Sequence, residues 1–83
     1  MGMEIQTHFY SYFKDLTGCA QVSITLVPQS TVGDLLAQLC VRFPKLEGMQ
    51  KSTLVAVGVE YQDRGYVLKE GDEVSVFPPV QGG

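Results

Sequence analysis

From Glu4 to Ser11 the chain alternates, with Ile5, Thr7 and Phe9 on one side and Glu4, Gln6, His8 and Tyr10 on the other. A period of two predicts a half-buried strand. Val22, Ile24 and Leu26 alternate with Gln21, Ser23 and Thr25 and predict a second strand, stopped by Pro28. Between them, Tyr12–Leu16 reads as irregular chain or one helical turn, ended by Gly18. Two strands so closely connected predict a hairpin. The period then changes. Val32, Leu35, Leu36, Leu39, Cys40 and Phe43 follow helical spacing, so one stripe of a helix is apolar. Thr31 suits the N-cap, Asp34 suits the positive end of the helix dipole, and Pro44 ends the helix.

Beyond the helix, Leu54–Val59 is apolar on both faces and predicts an inner strand. Gln62–Gly65 reads as a polar turn, Tyr66–Leu68 as a short strand, and Lys69–Asp72 as another turn. Glu73–Phe77 predicts the last strand, with Val74 and Val76 facing the core. The apolar helix stripe needs a sheet to cover it. The expected architecture is α+β: a mixed sheet of four to five strands with one main helix packed on one face.

Composition narrows the function classes. Eighty-three residues, 45% hydrophobic and 18% charged, suit one small domain spanning residues 1–83, with a flexible tail at 79–83. Such a chain buries one modest core, which argues against a large enclosed active site. A net charge of −3 without a basic run argues against nucleic acid as a partner. No apolar run approaches the roughly 18 residues of a spanning helix, which argues against a membrane. Cys19 and Cys40 have no metal or redox spacing. The expected location is the cytoplasm, where thiols stay reduced.

Few side chains promise chemistry. His8, the only histidine, sits on the strand face away from the helix and has no nucleophile beside it in sequence, so it reads as an exposed strand residue. Cys40 lies in the helix stripe and reads as core, while nothing near Cys19 would activate its thiol. Gly71-Asp72 lacks a phosphate-loop pattern and reads as a hairpin turn. The pairs Asp72/Glu73 and Glu60/Asp63 read as solvated charge. No metal site is expected. Tyr10 and Phe77 both point away from the helix; they form either an exposed interface patch or two incidental surface aromatics.

The last eight residues are more specific. Val76-Phe77 favour a strand; Pro78-Pro79 remove two backbone donors and stop the sheet; Val80-Gln81 form a short spacer; Gly82-Gly83 follow. Glycine costs the most entropy to order, and adds no side chain to a core. What it permits is entry into a slot too narrow for any Cβ. From Pro79 to Gly83 the extended reach is about 17 Å.

Gly71-Asp72-Glu73-Val74-Ser75-Val76-Phe77-Pro78-Pro79-Val80-Gln81-Gly82-Gly83 resembles the C-terminus of the MoaD/ThiS sulfur-carrier family. Phe9-Tyr10 with Leu16, Thr31-Val32 with Leu35-Leu36, and Val55-Ala56-Val57 extend the likeness, while Gly58 stands where many relatives have asparagine. Pro-Pro-Val before the glycines is more similar to the molybdopterin branch than to thiazole-synthesis carriers. The resemblance implies a ubiquitin-like β-grasp fold. It also implies that the carboxylate of Gly83 is the reactive group, with Gly82 beside it. An E1-like adenylyltransferase would adenylate Gly83 with ATP, and sulfur would then replace the adenylate to give a thiocarboxylate. The tail would next enter the large subunit of molybdopterin synthase and give its sulfur to a cyclic pyranopterin monophosphate. Tyr10, Phe77, Pro78, Pro79, Val80 and Gln81 are the expected partner-binding residues, and the chain itself holds no cofactor. The alternatives are a carrier for thiamine thiazole or tRNA thiolation, or a ubiquitin-like modifier without sulfur cargo.

Overall fold

β1 (Met3–Phe9) lies in the sheet with its odd residues inward: Met3, Ile5, Thr7 and Phe9 are all buried. The computed structural model describes residues 2–48 and 52–78. β1 pairs antiparallel with β2 (Gln21–Leu26), so the expected hairpin forms, with Ile5 opposite Ile24. One helical turn, α1 (Phe13–Thr17), fills the connection and ends at Gly18, whose φ of +77° suits a residue without a Cβ. Phe13 on that turn is fully buried, a core position that the hairpin connection did not advertise.

α2 (Val32–Arg42) begins as expected at Thr31. The Thr31 hydroxyl accepts from the Asp34 N–H at 3.3 Å, and the Asp34 carboxylate accepts from the Thr31 N–H at 2.9 Å. This reciprocal cap satisfies two helix-end donors at once. Val32, Leu35, Leu36 and Leu39 are buried, and Cys40 is half-buried. Phe43 is half-buried against the core as the stripe requires. It caps the helix at φ −127°, ψ 83°, because the residue before a proline avoids helical angles. Its ring meets Phe9 edge-on at 5.6 Å. A single 3₁₀ turn at Pro44–Leu46 follows and buries Leu46.

β3 (Leu54–Val57), β4 (Glu60–Tyr61) and β5 (Glu73–Phe77) complete a five-stranded sheet in the order β2-β1-β5-β3-β4. β1 and β5 run parallel, and the other pairs are antiparallel. The expected mixed sheet with one main helix on one face is therefore present. Val74 and Val76 face the core as expected.

Two strand expectations need correction. The strand expected over Leu54–Val59 stops at Val57, and Gly58-Val59 turns the chain so that Val57 pairs with Glu60 and Ala56 with Tyr61. Gly58 has φ +65°, a value that opens a two-residue hairpin and that glycine adopts without strain. The strand expected over Tyr66–Leu68 reduces to one bridge between Val67 and Thr31. Its backbone is committed to the start of α2: Val32 donates to the Tyr66 carbonyl at 2.9 Å, and Leu68 donates to the Ser30 carbonyl at 2.8 Å.

Thr7 is buried in the apolar layer, and its hydroxyl has no hydrogen-bond partner among the described residues. A buried hydroxyl without a partner carries its desolvation cost uncompensated. Replacing Thr7 by valine keeps the shape and removes the cost. The expected result is a gain of about 1 kcal/mol, read as a higher urea midpoint with an unchanged slope.

Candidate docking face at the end of the last strand

The face of the sheet opposite α2 has two zones. In the first, side chains form a polar ladder. Gln21 Nε2 donates to Gln6 Oε1 at 3.1 Å, Gln6 Nε2 to Ser23 Oγ at 3.3 Å, and Ser23 Oγ to Glu4 Oε1 at 3.3 Å. The second zone, at the end where β5 finishes, is aromatic. Parallel pairing places Phe9 beside Val76, so the next residues, Tyr10 and Phe77, lie side by side on the far face. Their rings stack with centroids 4.9 Å apart and 16° between planes. Offset stacking of this kind adds about 0.5–1.5 kcal/mol beyond area burial. Tyr61 joins from β4, with its ring 6.2 Å from Phe77. Leu54 pairs with Phe77 across the β3–β5 ladder.

Exposure makes this face available to a partner. Tyr10 is 43% exposed, Tyr61 69% and Leu54 40%. Contiguous exposed aromatics on a sheet face mark a docking surface, whereas scattered ones do not. Tyr10 and Phe77 are thus brought together as the interface reading requires. Tyr61 and Leu54 extend the patch and were missed from sequence. Reading Gly58 as a turn residue would have found Tyr61, since hairpin register then sets it on the face of Ala56. Pro78 follows Phe77 directly and is half-buried. The expected tail residues Pro79, Val80, Gln81, Gly82 and Gly83 lie outside the described residues.

The other candidates resolve into structural roles. His8 Nε2 lies 3.3 Å from Glu73 Oε1, and Glu73 is mostly exposed, so the pair contributes little to stability. Register also sets Ser75 beside His8, a neighbour invisible in the sequence, but the histidine is joined to Glu73 rather than to the serine. Cys19 is half-buried with Thr17 Oγ1 3.8 Å from its sulfur. Cys40 packs against the core cluster. Asp72 staples its own turn by accepting from the Lys69 N–H at 2.9 Å, and Asp63 accepts from the Gly65 N–H at 3.0 Å. The start of α2 is spent as well: besides the cap, Val32 and Gly33 donate to the carbonyls of Tyr66 and Arg64. Its amides are not open to a phosphate. Among the described residues no group of three or more His, Cys, Asp or Glu could hold a metal ion, and no helix is long and apolar enough to cross a membrane.

The described surface therefore offers an exposed aromatic patch as a candidate docking face at the end of β5. A mixed five-stranded sheet of this order, with one helix across it, is the ubiquitin-like β-grasp. The chain belongs to the ThiS family, which matches it over residues 8–83. It is 32% identical to a molybdopterin synthase sulfur carrier subunit from Chlamydomonas reinhardtii, over 98% of this chain and 100% of the relative. It is also 32% identical to small archaeal modifier protein 3 of Haloferax volcanii, again over 98% and 100%. Among solved structures, a putative molybdopterin converting factor subunit 1 from Pyrococcus furiosus superposes with a TM-score of 0.86 at 27% identity, covering 94% of this chain and 99% of that one.

Proposed function

We propose that this chain is the sulfur-carrying small subunit of a molybdopterin synthase. The observation that carries the reading is the aromatic patch of Tyr10, Phe77 and Tyr61 at the strand end from which the Gly82-Gly83 segment departs. A carrier must be held by one partner for loading and by another for unloading, and a single face beside the tail serves both. The carboxylate of Gly83 is a poor electrophile when ionised, with an ordinary pKa near 3.5. An E1-like adenylyltransferase attaches AMP from ATP to it and releases pyrophosphate. A sulfur donor then displaces AMP and leaves a thiocarboxylate. In the large subunit that sulfur passes to a cyclic pyranopterin monophosphate and becomes part of the dithiolene. This chain supplies no acid, base or metal to these steps; it positions the tail.

Intact-mass spectrometry of the chain co-expressed with its activating enzyme tests the reading. The expected mass gain is one oxygen-to-sulfur exchange at Gly83, with the large subunit co-purifying. The likeness to a small archaeal modifier protein favours a second reading, a ubiquitin-like modifier. That reading requires bonds from Gly83 to lysines of other proteins, with no sulfur gained. Co-purification with a thiazole-forming or tRNA-thiolating enzyme instead would assign the carrier to those routes.

A further inference from the structure

The two edges of the sheet differ. β4 is an edge of only two residues and carries Glu60, and short charged edges resist pairing with other chains. β2 is the other edge: six residues, Gln-Val-Ser-Ile-Thr-Leu, with no charge, proline or glycine. It lacks the devices by which proteins protect an open strand.

Its backbone direction follows from the ladder. The Phe9 N–H donates to the Ala20 carbonyl at 2.9 Å. Bonded pairs recur every second residue in an antiparallel ladder, so Val22, Ile24 and Leu26 turn their N–H and C=O groups toward β1. The opposite side of β1 agrees: Gln6 donates to the Asp72 carbonyl, and Gly71 donates to the Glu4 carbonyl. Gln21, Ser23 and Thr25 therefore present their backbone groups outward. All three are exposed, and among the described residues no strand lies on the side of β2 away from β1.

This edge is complementary to itself. An antiparallel copy centred on Ser23 sets Ser23 against Ser23, Gln21 against Thr25 and Val22 against Ile24. Polar residues meet on the far face and apolar ones on the helix side. An open groove lined by Leu26, Val27, Asp34, Ala37 and Gln38 runs between this edge and α2, leaving space on the helix side. The nearest far-face charge is Glu4, which accepts from Ser23 Oγ at 3.3 Å. Across the pair, the two Glu4 residues stand at least three strand spacings apart, about 14 Å. That exceeds the Debye length of about 8 Å at physiological salt, so their repulsion is screened.

We propose that β2 is an interface to a second copy of this chain, paired antiparallel about Ser23 into a ten-stranded sheet. Tyr10, Phe77 and Pro78 lie at β1 and β5, inside the edge, so the candidate docking face stays free in the dimer. The contact is small against the roughly 1,200 Å² of a stable interface. The dimer is therefore weak, forming at about 0.1–1 mM and not at about 10 µM.

Sedimentation equilibrium across that range, with backbone amide spectra at both ends, tests it. The expected mass climbs from one chain toward two, with shifts at Gln21, Ser23 and Thr25. Ser23→Lys sets two like charges on the axis, and Thr25→Lys strikes the outer pair. Both variants are expected to stay monomeric with an unchanged thermal midpoint, because both positions are exposed. A wild-type chain that stays monomeric throughout overturns the proposal. So does a dimer that survives both lysines, or one whose shifts fall on Tyr10, Tyr61 and Phe77.

Discussion

Gly82→Val is expected to lower sulfur transfer by at least about 100-fold, the scale set by a misplaced reacting group, while leaving thermal unfolding unchanged. Valine adds a β-branched side chain where the proposed slot admits only backbone. It also displaces the neighbouring Gly83 carboxylate, the group to be adenylated. The last member of the described core cluster is Val76, and a glycine adds no side chain to a core. Two measurements separate the steps: intact mass after activation reports loading, and product formation with the large subunit reports unloading. A Gly82→Val chain with full activity would refute the narrow-slot argument.

Phe77→Ala is expected to weaken binding to the large subunit by about 2–4 kcal/mol, or roughly 30- to 1,000-fold in Kd. Phe77 is the centre of the patch, stacked on Tyr10 at 4.9 Å and 6.2 Å from Tyr61. Its truncation removes the shared neighbour of both exposed rings, as loss of a central anchor does in other interfaces. Tyr10→Ala is expected to cost less, because Tyr10 borders solvent on one side. A double-mutant cycle isolates the coupling of the stacked pair. Calorimetric titration against the large subunit and the activating enzyme reads both. Unchanged affinity for both partners would remove the docking role from this face.

The elements with strong local periods were legible. β1, β2, α2 and β5 each carry a pattern several residues long, and tertiary packing merely used it. The helix start was legible for a different reason: a threonine and an aspartate three residues apart satisfy each other without help from the rest of the chain. The errors fall where one residue overrides the pattern around it. Gly58 folds an apolar run back on itself, which shortens β3 and creates β4. Tyr66–Leu68 had strand-like residues, but its hydrogen bonds went to α2 instead of to a ladder.

The candidate docking face was half legible. Alternation alone placed Tyr10 and Phe77 on the far side of their strands, since side-chain direction in a strand is a local property. That they touch is a property of the parallel β1–β5 pairing, which joins opposite ends of the chain and leaves no trace in either segment. The same holds for Tyr61, and for the outward backbone of Gln21, Ser23 and Thr25. By itself the sequence determined the strand and helix periods and the slim Gly82-Gly83 segment with its proline stop, because these rest on residue type and spacing. Only the tertiary structure decided which faces and edges meet, because strand order and register are set by long-range hydrogen bonds and shared burial.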